Sequence, residues 1–267
     1  MSTNPILSTE ALTRRFGMFL AVDDLTLSVE PGEVLALLGR NGAGKSTAIK
    51  MLATLLAPTS GTAQVGGFDI VREPDAVRRV IGYVPQALSA DGDLTGYENL
   101  LVFARLYDIP RGVRSARISE ALKFMELESF ANKLVKTYSG GMIRRLEIAQ
   151  STLHQPQVLF LDEPTVGLDP VARVAVWNRI EELRRDFKST ILLTTHYLDE
   201  VARLCHRVAI MSRGRLAAIG TTGELTASIG ANKTFDDAFE YYTRDDTDTR
   251  GSYDAASETR RTSERLG

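Results

Sequence analysis

Gly39, Arg40, Asn41, Gly42, Ala43, Gly44, Lys45, Ser46 and Thr47 follow the order glycine, four residues, glycine, lysine, hydroxyl, directly after the apolar run Val34 to Leu38. A helix is predicted to open from this stretch, over Ser46 to Leu56, so the chain must form strand, glycine-rich loop and helix in that order. Such a loop aims consecutive backbone N–H groups and a helix N-terminus at an anion. Gly42 and Gly44 let the backbone curl around phosphate oxygens, Lys45 reaches the β- and γ-phosphates, and the Ser46 hydroxyl suits a Mg²⁺ ligand. An ordinary glycine turn would need neither the apolar strand before it nor the helix after it.

A chain of 267 residues with 43% hydrophobic and 25% charged side chains suits one large α/β domain, with room for a subdomain. The formal net charge of −2 gives no bulk electrostatic reason to expect nucleic acid or an anionic membrane as the main partner. Cys205 is the only cysteine, which excludes an intrachain disulfide and suits a reducing compartment. Met1 to Ser8 has no basic region followed by an apolar stretch, so no secretory signal is expected. No run approaches the roughly 18 apolar residues of a membrane span, and a chain soluble by itself is the expectation.

Ile6 to Phe16 and Leu20 to Val29 alternate apolar with polar residues, as half-buried antiparallel strands do. Phe16 reads either as a core aromatic at a strand end or as a ring for stacking on a purine. Pro58 to Gly67 is turn-rich with one short strand. A brief helix over Pro74 to Arg79 and a buried strand over Ile81 to Val84, ended by Pro85 and Gln86, come next. From Thr95 to His154 the apolar spacing becomes helical, with helices expected over Tyr97 to Tyr107, Val113 to Leu127 and Met142 to His154. Tyr138-Ser139-Gly140-Gly141-Met142 sets a hydroxyl and two glycines at the start of the last of these, a further potential anion site.

Val158 to Leu161 is a buried strand that runs into Asp162 and Glu163, at the end where parallel sheets bind ligands. Asp162 is placed to help hold Mg²⁺ through its water shell and Glu163 to polarise a water. Beyond lie a helix to about Asp186, a strand over Thr190 to Thr194, His196, a helix over Tyr197 to Cys205, and a strand over Arg207 to Met211 entering a hairpin at Ser212 to Arg215. Alternating strands and helices predict a mainly parallel sheet with right-handed crossovers. His196 follows a Thr-rich strand end and reads as functional, whereas His154, His206 and Cys205 read as capping, surface or packing residues.

With these motifs together the chain resembles the ATPase subunit of ATP-binding cassette (ABC) transporters, from Leu7 to about Thr222. The resemblance rests on the phosphate loop, Asp162-Glu163, Gln86 at the Q-loop, Ser139-Gly140-Gly141 at the signature, Gly167-Leu168-Asp169 at the D-loop and His196 at the switch position. Tyr-Ser-Gly-Gly-Met in place of the commoner Leu-Ser-Gly-Gly-Gln, followed by Ile143-Arg144-Arg145-Leu146, resembles the drug-, antibiotic- and glycan-exporting branch, including daunorubicin-resistance-type ATPases. Phe16 stands where the family has its A-loop tyrosine, keeping a ring face without the hydroxyl.

This resemblance implies an α/β phosphate-loop NTPase with a mainly parallel sheet, N-terminal antiparallel strands and a helical subdomain. It implies a nucleotide-binding domain over 1–230 with the subdomain inserted at about 88–155, an accessory helix at 231–243, and a tail at 244–267 whose polar composition predicts disorder. ATP and Mg²⁺ are the implied ligands. Ser46, Gln86 and Asp162 would serve the metal, and Glu163 would be general base or water orienter. His196 would hydrogen-bond the γ-phosphate. A second copy, or a paralogous subunit, would pack head to tail, so that its Ser139, Gly140 and Gly141 close over ATP held by Phe16 and residues 39–47, with Asp169 along the seam. A separate membrane permease would dock near Gln86 to Asn99, at the cytoplasmic face of the cell membrane.

Importer subunits, ribosome-acting cassette proteins and DNA-repair ATPases share much of this pattern. Only one phosphate loop and only a short helical insert are present, against the two cassettes of most ribosomal members and the long coiled coil of the repair ATPases. The basic pairs Arg78-Arg79, Arg144-Arg145 and Arg184-Arg185 read as solvated faces or docking salt bridges, not as nucleic-acid contacts.

Overall fold

The computed structural model describes residues 4–244. Two sheets carry the fold. The first joins β1 (Leu7–Phe16), β2 (Phe19–Val29), β4 (Ser60–Val65) and β5 (Phe68–Asp69) in the antiparallel order β2-β1-β4-β5. The second joins β3 (Val34–Leu38), β6 (Ile81–Val84), β7 (Val158–Asp162), β8 (Thr190–Thr195), β9 (Arg207–Ser212) and β10 (Arg215–Gly220) in the order β10-β9-β3-β8-β7-β6. Every neighbour pair in it is parallel except the β9–β10 hairpin.

The parallel strands read as unbroken apolar runs because both of their faces are buried. In β3, Val34, Ala36 and Leu38 face one core, with Leu100, Leu146, Trp177 and Leu193. Leu35 and Leu37 face the other, with Val22, Ile49, Met51 and Phe160, between the two sheets. The first core holds α3 (Gly96–Leu106), α4 (Arg111–Phe124), α5 (Gly140–Thr152) and α6 (Pro170–Phe187); the second encloses α1 (Lys45–Leu52). Short helices α2 (Pro74–Val80), α7 (Leu198–Leu204) and α8 (Thr222–Ser228) link strands or follow the last one. Helix α9 (Phe235–Thr243) begins in a capping box between Thr234 and Asp237 and packs Phe235, Phe239 and Tyr242 onto the first core.

Helix ends depart most from the sequence expectation. The first helix stops at Leu52, not Leu56, because Thr54 turns left-handed at φ 59°. Helix α4 stops at Phe124, short of Leu127, ahead of Glu126 at φ 56°. Helix α8 and the two-residue strand β5 had no counterpart in the pattern. Of the two readings of the basic pair Arg144-Arg145, a solvated face or docking salt bridges, the structure takes the second: Arg144 is 1% exposed and paired with Glu147, and Arg145 pairs with Glu126 and donates to the Met125 carbonyl at 2.7 Å. Arg78 does lie in an exposed pair with Asp75. Among the described residues no helix is long and apolar enough to cross a membrane. Of the expected tail at 244–267, everything past Arg244 lies outside the described residues.

Candidate nucleotide site

The carboxyl ends of β3, β8, β7 and β6 lie side by side and deliver, in turn, the phosphate loop, Thr194 to His196, Asp162 with Glu163, and Gln86. Ligands of open parallel sheets bind at this edge. A cleft of about 510 Å³ opens there, lined by Phe19, Ala21, residues 41–47, Gln86, Glu163, Val166 and His196. The loop conformation depends on glycine at two points. Gly42 adopts φ 81° and Gly44 φ 99°, and a Cβ on Gly44 would also overlap the Ala21 carbonyl.

Charge in the cleft converges on the Glu163 carboxylate. Lys45 is 4% exposed; its Nζ donates to the carbonyls of Gly39 at 2.9 Å and Arg40 at 3.2 Å and lies 3.5 Å from Glu163 Oε1. On Oε2, Gln86 Nε2 donates at 3.2 Å and His196 Nδ1 stands 3.5 Å away. Glu163 itself is held left-handed at φ 48°, an uncommon conformation for a residue with a Cβ and one that clusters at functional sites. Its N–H is shared between the Thr194 carbonyl at 3.1 Å and Thr194 Oγ1 at 2.9 Å.

Asp162 is fully buried, and its Oδ1 accepts from Ser46 Oγ at 2.8 Å and from Thr194 Oγ1 at 2.6 Å. A carboxylate beside a hydroxyl, with the Gln86 amide across the cleft, is a hard-oxygen donor set of the kind Mg²⁺ takes. Behind it, burial, followed by the charge of Asp162, pushes the Tyr83 hydroxyl up to about 12, which keeps that phenol neutral.

Ser139, Gly141 and Asp169 do not line this cleft. They border a separate one of about 240 Å³ between the N-termini of α5 and α6, where Ser139 Oγ accepts from the Met142 N–H at 3.3 Å and Asp169 Oδ1 caps Val171 and Ala172 at 2.9 Å each. Gly140 opens α5 beside Leu168. Phe16 is absent from the Lys45 cleft as well; it is 45% exposed, with the Arg14 guanidinium 4.5 Å over its ring. The ring in the cleft is Phe19, paired with Phe16 across the β1–β2 register. Phe19 and Thr194 were missed by the sequence reading. Phe19 carries only the weak signal of an aromatic beside Phe16, and Thr194 lay within the noted Thr-rich strand end.

The other histidines are occupied elsewhere. His154 stacks on Tyr107 with ring centroids 3.7 Å apart, and His206 Nδ1 accepts from the Val34 N–H at 2.9 Å. Burial lowers both below the ordinary histidine range. Burial likewise pushes the Cys205 thiol up, against reactivity.

Comparison with known proteins identifies the family. Residues 22–166 match the family described as ABC transporter. The daunorubicin/doxorubicin resistance ATP-binding protein DrrA of Streptomyces peucetius is 48% identical over 234 residues, covering 87% of this chain and 71% of that protein. Nod factor export ATP-binding protein I of Ralstonia nicotianae is 42% identical over 233 residues, covering 87% and 72%. Among solved structures, an ATP-binding subunit of an ABC transporter superposes with TM-score 0.79 at 30% identity over 89% of this chain and 99% of that one. CbiO1 of Clostridium perfringens, part of the ABC transporter complex cbiONQ, gives 0.76 at 29% identity over 85% and 92%. The chain therefore belongs to the ABC transporter family and is an ATP-binding, ATP-hydrolysing subunit of that kind.

Proposed function

We propose that this subunit powers export through a separate membrane permease, by closing a head-to-tail dimer on ATP and reopening it after hydrolysis. The observation that carries the chemistry is the convergence of Lys45, Gln86 and His196 on the buried Glu163 in the cleft. Phosphoryl transfer asks for positioning and charge neutralisation more than covalent help, and this set supplies both. The Lys45 ammonium exchanges its contact with Glu163 for β- and γ-phosphate oxygens. Glu163, so released, accepts a hydrogen bond from the attacking water and aligns it, and His196 hydrogen-bonds the γ-phosphate. Ser46, Gln86 and, through water, Asp162 would hold Mg²⁺, which when bound neutralises charge on the phosphates.

Ser139, Gly140 and Gly141 of a second copy, or of a paralogous subunit, would complete the site, with Asp169 along the seam. The separate cleft at the start of α5 supports this reading, since Ser139 and Gly141 line it and not the cleft of their own chain's Lys45. The exporter assignment follows the drug-resistance and Nod factor export relatives, and the permease would dock near Gln86 to Asn99 at the cytoplasmic face of the membrane. No nucleic-acid contact is part of the proposal. Glu163→Gln tests it: the variant should bind ATP, lose about 10²-fold or more in turnover, the scale of general-base removal, and stay dimeric on ATP. Unchanged turnover would assign the water-orienting role to another group.

A further inference from the structure

Arg144 and Glu147 form an ion pair at 2.9 Å, one turn apart on α5 and 2% exposed on both side chains. Neither touches the cleft. Both reach instead into the irregular segment that follows β6. Arg144 Nη1 donates to the Pro85 carbonyl at 2.6 Å and Nη2 to the Gln86 carbonyl at 2.7 Å. Glu147 Oε1 accepts from the Ser89 N–H, from Ser89 Oγ at 3.1 Å and from the Ala90 N–H at 3.3 Å. A buried ion pair contributes little net stability over an apolar pair of the same volume, because desolvation offsets the attraction. What these two charges do, and an apolar pair could not, is satisfy both polarities of a loop backbone that has no strand or helix to bond to.

We infer that Arg144 and Glu147 are positioning residues that clasp the Gln86 loop to the helix carrying Ser139, so that Gln86 meets Glu163 only when that helix is in register. The carbonyl held by Arg144 belongs to Gln86 itself, whose side chain donates to Glu163 at 3.2 Å. Helix α5 runs unbroken from its cap at Ser139 past both charged residues to Thr152, so a displacement of its first turn is carried to the Gln86 backbone. This inference rests on the proposed dimer. There Ser139 serves the partner's ATP while Gln86 serves this chain's own, and the clasp becomes the physical link between the two sites.

The test uses the full chain with Gln86→Ala, Arg144→Met, the double variant, and the conservative changes Arg144→Lys and Glu147→Gln. Amide hydrogen exchange should speed up in peptides covering Gln86 to Asp91 in Arg144→Met and not elsewhere in the sheet. In that variant kcat should fall between about ten- and a hundredfold, as expected of a misplaced contact, while KM for ATP stays within about threefold. Adding Arg144→Met to Gln86→Ala should cost no more than about a further twofold, because both remove the same contact. Losses that multiply, unchanged exchange over the loop, or an unchanged kcat in Arg144→Met would overturn the inference. Should Arg144→Met fail to unfold cooperatively, Arg144→Lys and Glu147→Gln carry the same cycle. Unchanged kcat in Gln86→Ala alone would fault the role given to Gln86, and loop exchange would still decide whether the clasp exists.

Discussion

Thr194→Val removes one hydroxyl from the junction of β7 and β8 and keeps the β-branched shape that the strand prefers. Thr194 is fully buried; its Oγ1 donates to Asp162 at 2.6 Å and accepts from the Glu163 N–H at 2.9 Å. The amide keeps its second acceptor, the Thr194 carbonyl at 3.1 Å, and contributes little to the loss. The carboxylate keeps Ser46 at 2.8 Å but loses a charge-assisted bond worth about 1.5–3 kcal/mol. A loss of about 2 kcal/mol lowers Tm by about 4–8 °C in a chain of this size. Turnover should fall about tenfold, equivalent to about 1.4 kcal/mol of transition-state stabilisation, since Asp162, which would help hold Mg²⁺, loses one of the two hydroxyls that orient it. Calorimetric scans without nucleotide isolate the stability effect, because bound ATP would shift Tm by linkage. A Tm within about one degree of the parent would refute the account of this junction.

Burial raises the Glu200 carboxyl above the usual range, although its Oε1 accepts from Thr165 Oγ1 and Trp177 Nε1 at 2.8 Å each. The unfolded chain ionises this group first, so its contribution is most favourable below the unfolded pKa of about 4.5 and is lost as pH rises through the folded value. Glu200→Gln, which keeps an acceptor for both donors, should therefore gain in Tm relative to the parent between pH 5 and pH 7.5; a difference independent of pH would contradict this. For the base contact the cleft offers the Phe19 ring, and stacking discriminates weakly, so GTP should be hydrolysed within roughly tenfold of ATP. Strict rejection of GTP in a side-by-side kcat/KM comparison would reveal a hydrogen bond to the purine edge.

The phosphate loop and Asp162-Glu163 were legible in the sequence because each is contiguous and each sits at the end of an unmistakably apolar strand. Thr194 was not, since its role exists only once β8 pairs with β7 and sets it beside Asp162. Phe19 and Phe16 are separated only by the turn of one hairpin, and register rather than composition decides which ring reaches the cleft. For Arg144 the sequence left a solvated face and a docking salt bridge open, because a helical wheel does not show which face an irregular loop will cover; the salt bridge is the one that forms, with Glu147. Left-handed residues such as Thr54 and Glu126 ended helices that periodicity would have continued. Ser139, Gly140 and Gly141 were legible in the residues only as a potential anion site at a helix start, their role over a partner's ATP came from the family resemblance, and one chain leaves them outside the Lys45 cleft.

That separation makes the shared site the central claim, and mixing two inactive chains tests it most directly. Lys45→Ala disables the phosphate loop and Ser139→Arg blocks the signature turn. In a two-fold dimer each mixed pair has one site carrying both defects and one wholly intact. Random pairing makes about half the dimers mixed, so activity should return to as much as roughly a quarter of the parent's, with nucleotide trapped in mixed dimers confirmed by mass. Mixed dimers of confirmed mass that neither trap nor hydrolyse ATP would contradict a site built from two chains.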